Sequence, residues 1–340
     1  MRRAALAGGL AAVTTLVAVQ SASATMVFSR FTKSGTSVWI ANDNGSGQRR
    51  LASGGTNPMI SSDGQTVFFQ TSGRNRTDLM QVPATGGTPK PVVRRVQYGV
   101  QTISPNGAWV AVTTGPLNGA QHLTLLDVAT GTVRNVATGY CYGASFSPDS
   151  TYLAYSRAGR VSFKAPNDVY VAPVSGGAAR NITNDGHSAY PVWGPTQIAF
   201  SRWKLHYGPH HEQSGPAYNI TVMNPDGSGR RDVTNDKVRF LLSGLTATAW
   251  SPDGSRLLTQ FGGQDTTYAV GVDVATGKEH VIGPKSEFGM TGTTLTNGGM
   301  TVLGVYGPPE AIGNVVTIPW TGRRPQVLVR RAGEPFWSAP

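Results

Sequence analysis

The sequence has a single cysteine, little charge and no long apolar run beyond its N-terminal segment. Because Cys141 has no second cysteine to pair with, an internal disulfide is excluded and stability must come from packing and strand pairing. Charged residues make up only 14% of the 340 residues, whereas Gly 43 and Pro 22 are abundant. This composition predicts a turn-rich chain with little helix.

Acidic residues are also scarce. The sequence has 18 Asp and Glu against 29 Lys and Arg, which gives a formal net charge of +11. The balance stays clearly basic if Arg2 and Arg3 are removed with a leader. An excess of positive charge favours anionic partners such as wall polymers, lipid headgroups or nucleic acid, without choosing among them.

The one extended apolar stretch lies at the N-terminus. Arg2 and Arg3 precede uncharged residues 4–19, and Ser-Ala-Ser-Ala follows at residues 21–24. This order is typical of a secretory signal peptide, and we expect cleavage after Ala24. The alternative, a membrane anchor, is disfavoured because the stretch is short and rich in Gly and Ala for a spanning helix of about 20 residues. We therefore predict a signal peptide (1–24) and a single domain (25–340), secreted or periplasmic, with no membrane span.

A turn-forming tetrapeptide recurs along the chain at a spacing of roughly 45 residues. In its complete form, at residues 251–254, Pro presets φ, Asp tolerates the second corner and Gly supplies a positive φ. Turn geometry alone accounts for these Asp residues, so we assign them no catalytic role. The stretches that contain the repeat are MISSDGQTVFFQTS (59–72), QTISPNGAWVAVTT (101–114), ASFSPDSTYLAYSR (144–157), PVWGPTQIAFSR (191–202), TAWSPDGSRLLTQF (248–261) and TTLTNGGMTVLGV (293–305). A period this long, with four short β segments per unit, predicts propeller blades rather than helical repeats.

A second repeated element indicates how the ring closes. A glycine-rich hairpin occurs seven times, whereas the complete inner turn occurs six times. The first hairpin, at residues 42–50, follows two strands but lacks an innermost one. Phe336-Trp337-Ser338, at the other end of the chain, aligns with the innermost strands elsewhere. We predict an all-β propeller of seven four-stranded blades, with six as the alternative, whose C-terminal strand completes the first blade.

These repeats resemble those of the TolB-type β-propellers with WD-like repeats. The resemblance is carried by ASFSPDSTYLAYSR (144–157), DVYVAPVSGGAARNIT (168–183) and TAWSPDGSRLLTQF (248–261), and it covers residues 25–340. The sequence departs from TolB because no small α/β domain precedes the blades and because the TolB propeller has six blades. The resemblance implies a bacterial propeller fold, in a group that includes periplasmic binding proteins, accessory domains of serine peptidases and lyase scaffolds.

The antiparallel strand order places many basic residues on one face of the ring. Loops after second strands share this face with the links between blades. The basic residues predicted there are Arg30, Lys33, Arg74, Arg76, Arg94, Arg95, Arg157, Arg160, Lys164, Arg202, Lys204, Lys237 and Arg239. Arg30, Arg157 and Arg202 occupy the same repeat position, directly after a second strand. With aromatic Trp203, Tyr207 and Tyr190 nearby, this face could hold an anionic chain or could carry ordinary solubilising charge.

The longest interval between repeats contains a histidine-rich insertion at residues 203–217. His206, His210 and His211 are followed by Glu212, and such side chains can ligate zinc or another transition metal. Gly208-Pro209 excludes a regular helix that would align His206 with His210. The spacing is not a metal signature, so we predict a ligand-contacting loop with no metal or other cofactor.

The leading hypothesis is a non-enzymatic, monomeric, exported binding protein. Its partner would be an envelope protein or an anionic polysaccharide, whereas nucleic acid is disfavoured because no known nucleic-acid module is present. The predicted ligand-binding residues are Arg30, Arg157, Arg202, Trp203, Lys204, His206, Tyr207, His210 and His211. The alternative is a polysaccharide lyase or hydrolase that uses the histidine insertion. A nucleophile elbow at residues 186–190 is disfavoured because no helix follows it.

Overall fold

Short alternating strands separated by Gly, Pro, Asp and Ser turns form the whole described part of the protein. The computed structural model describes residues 25–73, 76–94, 96–115, 121–159, 166–207, 213–235, 244–263, 266–284, 289–296, 298–307 and 312–337. Within these ranges there is no helix, and the strands group into four-stranded antiparallel blades. The predicted signal peptide (1–24) lies outside the described residues.

The blades are numbered from the N-terminus, and each is given from its innermost strand outwards. Blade 1 is β28 (Ala332–Trp337), β1 (Thr25–Thr32), β2 (Gly35–Asn42) and β3 (Arg49–Ser53). Blade 2 is β4 (Gly55–Ile60), β5 (Thr66–Gly73), β6 (Arg76–Pro83) and β7 (Lys90–Val93), and blade 3 is β8 (Val96–Ile103), β9 (Trp109–Thr114), β10 (His122–Asp127) and β11 (Val133–Thr138). Blade 4 is β12 (Tyr140–Phe146), β13 (Tyr152–Ala158), β14 (Asn167–Pro173) and β15 (Arg180–Asn181), and blade 5 is β16 (Ser188–Trp193), β17 (Ile198–Tyr207), β18 (Gln213–Met223) and β19 (Arg231–Asp232). Blade 6 is β20 (Gly244–Trp250), β21 (Arg256–Gly262), β22 (Thr267–Asp273) and β23 (Glu279–Val281), and blade 7 is β24 (Thr291–Thr296), β25 (Thr301–Tyr306), β26 (Asn314–Pro319) and β27 (Gln326–Val329).

Apolar side chains pack at the junction between each pair of neighbouring blades. Phe28 of blade 1 lies in one cluster with Leu303 of blade 7, and Ala154 of blade 4 lies in another with Phe200 of blade 5. Fully burying one such Leu or Phe side chain stabilises the fold by about 1.5–3 kcal/mol. Blades 5 and 6 also share a backbone contact, the parallel bridge between Tyr218 and Gly244. The prediction of an all-β propeller is confirmed.

The C-terminal strand β28 pairs with the N-terminal strand β1. Met26 is opposite Trp337 and Val27 is opposite Phe336 in an antiparallel register. The Glu334 carboxylate accepts hydrogen bonds from Ser29 Oγ at 2.6 Å and from the backbone N–H of Asn57 at 2.7 Å. Strand pairing and side-chain hydrogen bonds thus join the two ends of the chain within one sheet. This arrangement covers strand edges that would otherwise be open to aggregation.

The repeated inner turns are closed by their own side chains. In blade 6, Ser251 Oγ donates to Asp253 at 2.6 Å and accepts the backbone N–H of Arg256 at 2.9 Å. The same Asp253 carboxylate accepts the backbone N–H of Ser255 at 3.0 Å. These hydrogen bonds lower the pKa of Asp253 to about 2. The turn carboxylates serve local structure, in line with the sequence interpretation.

Candidate functional site

The upper face of the ring carries the loops between second and third strands and the links between blades. The lower face carries the inner turns and the glycine-rich hairpins. These positions follow from the antiparallel order of strands in each blade. The candidate site is the upper face of blades 4 and 5, where arginine and aromatic side chains lie at the ends of β12, β13, β16 and β17.

A Ser-Arg pair at the end of the second strand positions the arginines. Ser156 and Ser201 are fully buried. Ser156 Oγ accepts the backbone N–H of Tyr190 at 2.7 Å, and Ser201 Oγ donates to the Leu245 carbonyl at 3.0 Å. Each serine therefore joins its blade to the next one. Since side chains alternate along a strand, the arginine that follows points toward the junction with the preceding blade.

Arg157 is the most accessible of the repeat-position arginines. Its side chain is exposed, and its guanidinium carbon lies 5.6 Å from the centre of the Tyr170 ring. No carboxylate in the described part of the chain forms an ion pair with it. The guanidinium thus packs on Tyr170 by cation–π attraction, and among the described residues no side-chain hydrogen bond or ion pair to it is found.

Cys141 lies beside Arg157 in the strand register but offers no nucleophile. The thiol is fully buried. Burial raises its pKa to about 11, and the nearby Arg157 charge only partly opposes that effect. A neutral, buried thiol is a poor nucleophile and a poor metal ligand.

Asp185 organises the junction of blades 4 and 5. Its carboxylate accepts Arg202 Nε at 3.2 Å, forms an ion pair with Arg230, and accepts the backbone N–H of His187 at 2.8 Å. Burial acts to raise the pKa of Asp185, but the Arg230 and His187 hydrogen bonds outweigh it and hold the pKa below its ordinary value. The charge of Arg202 is therefore already partly neutralised by Asp185.

Aromatic rings also lie at the upper ends of blades 4 and 5. The His187 and Trp203 rings meet edge to face with centroids 4.2 Å apart. Tyr142 and Tyr190, from the inner strands of adjacent blades, meet in the same way at 5.0 Å. Tyr142 also donates its hydroxyl hydrogen bond to Asn167 Oδ1 at 2.7 Å. The upper ends of blades 4 and 5 thus carry the exposed Arg157 together with aromatic edges and faces.

The other predicted binding residues are not brought together in this way. Arg30 lies in blade 1, with two blades between it and the site in either direction, and its guanidinium packs 4.7 Å from the centre of the Trp39 ring and binds Gln48. The prediction that Arg30 shares the site is therefore not supported by this placement. Lys204, His206 and Tyr207 lie in the last part of β17. His210 and His211 lie outside the described residues.

The sequence interpretation missed three residues that contribute to the candidate site. They are Asp185, Arg230 and Tyr142. The only sequence signal for Asp185 is that an Asp follows the outer strand in blades 4 and 5, within NITNDG and DVTNDK. Nothing in the local sequence indicates that Arg230, from a distant hairpin, reaches the same carboxylate.

Catalytic and metal-binding alternatives can be checked only within the described ranges. Those ranges contain no group of three or more His, Cys, Asp or Glu side chains suited to a metal ion. Ser188, the serine of the elbow-like sequence, is buried and donates to Asp185 Oδ2 at 3.1 Å. Its hydroxyl is thus held by a carboxylate that two arginines already neutralise, and it is not an exposed nucleophile.

The same ranges contain no apolar helix long enough to cross a membrane. No protein-family model matches the chain, and no curated protein is significantly similar to it in sequence.

Several solved structures resemble this chain in their fold. The β-propeller domain of the Trilobed protease from Pyrococcus furiosus matches with a TM-score of 0.65 and 11% identity, over 90% of this chain and 92% of that one. An oligogalacturonate lyase in complex with manganese matches with a TM-score of 0.59 and 15% identity, over 89% and 84%. TolB from Acinetobacter baumannii matches with a TM-score of 0.51 and 15% identity, over 91% and 81%. Identities this low establish the fold alone. The chain therefore has a β-propeller fold of the kind found in TolB and in these enzymes.

Proposed function

We propose that this protein is an exported, non-enzymatic binding protein that holds an anionic polysaccharide on the upper face of blades 4 and 5. The observation that carries the proposal is the exposed Arg157 side chain, which has no ion pair among the described residues, on the same upper face as Tyr142, Tyr190 and Trp203. A planar guanidinium can form paired hydrogen bonds with a sugar carboxylate, and aromatic faces suit the apolar faces of sugar rings. An envelope protein is the other partner class that the sequence favours, but a uronate polymer uses both features at once.

The proposal places the mature chain outside the cytoplasm after cleavage at Ala24. Its support is the leader-like order of residues 1–24 and the net charge of +11, which is still +9 (11 − 2) once Arg2 and Arg3 are removed. A basic protein exported to a cell envelope meets polymers that carry carboxylate or phosphate groups. The attraction between them speeds encounter, and it weakens as salt screens the exposed charges.

A binding role rather than catalysis is supported by the state of the titratable groups at the site. Asp185 is held ionised between Arg202 and Arg230. Cys141 is buried and neutral, and Ser188 is buried with its hydroxyl donated to Asp185. None of these groups has the exposure and hydrogen-bonding freedom that a general base or nucleophile needs.

The test is equilibrium binding of polygalacturonate to the purified mature protein, with neutral dextran as the reference polymer. We expect Arg157→Glu to raise the Kd for polygalacturonate by about 10- to 100-fold, because one charge-assisted hydrogen-bonding group is lost and repulsion is added. Arg324→Glu is the matched control. Arg324 is exposed in the hairpin of the lower face, so its reversal makes the same change in net charge away from the site.

Equal weakening by the two reversals would show that only net charge matters, and the proposed site would be wrong. Equal binding of dextran and polygalacturonate would also contradict the proposal. Thermal melting of both variants checks that the fold is intact.

A polysaccharide lyase is the second candidate, because a lyase fold resembles this chain over 89% of its length. It would use the histidine insertion that contains His206, His210 and His211. Incubation with polygalacturonate, with and without added Mn²⁺, would then produce unsaturated fragments in the wild type. The variant with His210 and His211 replaced by alanine would not produce them. Intact polymer after incubation with the wild type would exclude this candidate.

A further inference from the structure

Tyr190 has a backbone conformation that tyrosine rarely adopts. Its φ is +56°, in the left-handed region, at the point where the β16–β17 register shifts. The inner strands of other blades carry a left-handed residue at the equivalent bulge. In blades 1, 2 and 4 that residue is Glu334, Asn57 or Gly143, and of these types Asn and Gly adopt this region more easily than Glu or Tyr. Tyr190 is therefore a strained residue in a position where Asn or Gly would be relaxed.

The surrounding structure holds Tyr190 in place from three sides. Its N–H donates to the buried Ser156 Oγ at 2.7 Å. The missing side chain of Gly143 leaves room, since a Cβ there would lie 3.1 Å from Tyr190 Cα and 3.2 Å from Tyr190 Cδ1. The Tyr142 ring packs against it edge to face. The strain is thus maintained by specific contacts from blade 4.

Burial of the ring does not offset this strain. Tyr190 remains 40% exposed at the upper end of the innermost strand of blade 5. Strained residues persist where the neighbouring structure determines them, and they concentrate at ligand sites. A strained, exposed aromatic ring at the upper end of an inner strand, on the same face as Arg157, is positioned to contact a ligand.

We infer that Tyr190 is the stacking platform for a pyranose ring of the bound polymer. This inference rests on the proposed function and adds the residue that recognises the sugar ring rather than its charge. A pyranose suits the position because the exposed Tyr190 ring offers a flat surface for the apolar face of a sugar. Tyrosine hydroxyls are neutral near pH 7, so they do not repel a polyanion.

The experiment compares two probes of the same charge sign, polygalacturonate and polyglutamate. Only the first carries pyranose rings. Tyr190→Asn removes the ring and supplies a residue that tolerates the left-handed conformation, whereas Tyr190→Phe keeps the ring. Tyr152→Asn is the matched control, since Tyr152 is 44% exposed and lies on the lower face, stacked on Trp193.

We expect Tyr190→Asn to raise the Kd for polygalacturonate by up to about tenfold. The Kd for polyglutamate should stay within twofold of the wild type, and the Tm should not fall. Tyr190→Phe and Tyr152→Asn should bind polygalacturonate like the wild type. Arg157→Glu should weaken the binding of both probes.

The inference is overturned, and the proposed function kept, if Arg157→Glu weakens polygalacturonate binding while Tyr190→Asn does not. Equal weakening of both probes by Tyr190→Asn would assign the ring to polypeptide recognition and overturn the sugar assignment. A fall in Tm of several degrees with unchanged binding would make Tyr190 a packing residue only. If the wild type binds neither probe, the proposed function and this inference are both refuted.

Discussion

Replacing Gly194 by serine, the residue at the equivalent position of four other inner turns, should destabilise the protein. Gly194 stands where the turns of other blades have Ser61, Ser104, Ser147 or Ser251. A Cβ at Gly194 would lie 2.6 Å from Trp250 Cδ2 and 2.7 Å from Trp250 Cε2. The indole cannot easily move away because its Nε1–H donates to the Val192 carbonyl at 2.9 Å.

The magnitude follows from the clash and from a missing partner. Forcing extra atoms into a packed site costs about 1–3 kcal/mol. The serine hydroxyl would not recover this cost, because residue 196 is Thr and not the Asp that accepts the serine hydrogen bond in blade 6. We expect Gly194→Ser to lower the Tm by about 2–5 °C, measured by calorimetry together with urea unfolding.

A second substitution distinguishes the clash from a general loss of turn flexibility. In a Trp250→Leu background the serine side chain has space, so adding Gly194→Ser should cost little there. A double-mutant cycle measures this coupling. The reasoning is refuted if Gly194→Ser is as stable as the wild type, or if the two substitutions are additive.

Two further changes test the ring and its turns. Deleting residues 334–340 removes Glu334 and Phe336 from the first blade. We expect the free energy of unfolding to fall by more than about 4 kcal/mol, with loss of amide protection along β1. An unchanged melting curve would contradict the closure of the ring by β28. The pKa of Asp253, about 2 in the folded protein, lies below the unfolded value of about 4, so its stabilising effect is complete above pH 4 and is lost as the pH falls toward 2. An NMR titration of Asp253, with Asp253→Asn as the variant that lacks this dependence, should find the low pKa; an ordinary value would show that the turn hydrogen bonds are absent in solution.

The blade architecture could be predicted because its signals are local. Each inner turn uses residues within a few positions of one another, as Ser251 and Asp253 do, so the turn repeats visibly in the sequence. The closing strand was also recognisable, since Phe336 and Trp337 repeat the pattern before the other turns. The antiparallel strand order then placed Arg157 and Arg202 on one face.

The chemical state of the site could not be predicted, because it depends on contacts between blades. The sequence suggests that Arg202 is a free cation, but Asp185 from the link before its blade binds it, and Arg230 from the hairpin of its own blade binds the same carboxylate. Arg30 occupies the same repeat position, yet Trp39 and Gln48 bind its guanidinium within blade 1. The strain at Tyr190 arises from a bulge whose position depends on pairing with β17. No spacing in the sequence reports these three arrangements.

The pairing of Met26 with Trp337 closes the ring of blades by hydrogen bonds between β1 and β28, two strands that no turn connects. The equivalent pair in blade 6 is Leu257 and Trp250, which residues 251–256 connect. A linker of about two residues between Pro340 and Thr25 would give blade 1 a turn of similar length. Such a cyclised molecule would keep every strand pair. Opening such a circle at residues 253–254 would move the closing strand pair to blade 6, so the ring does not depend on which blade that pair completes.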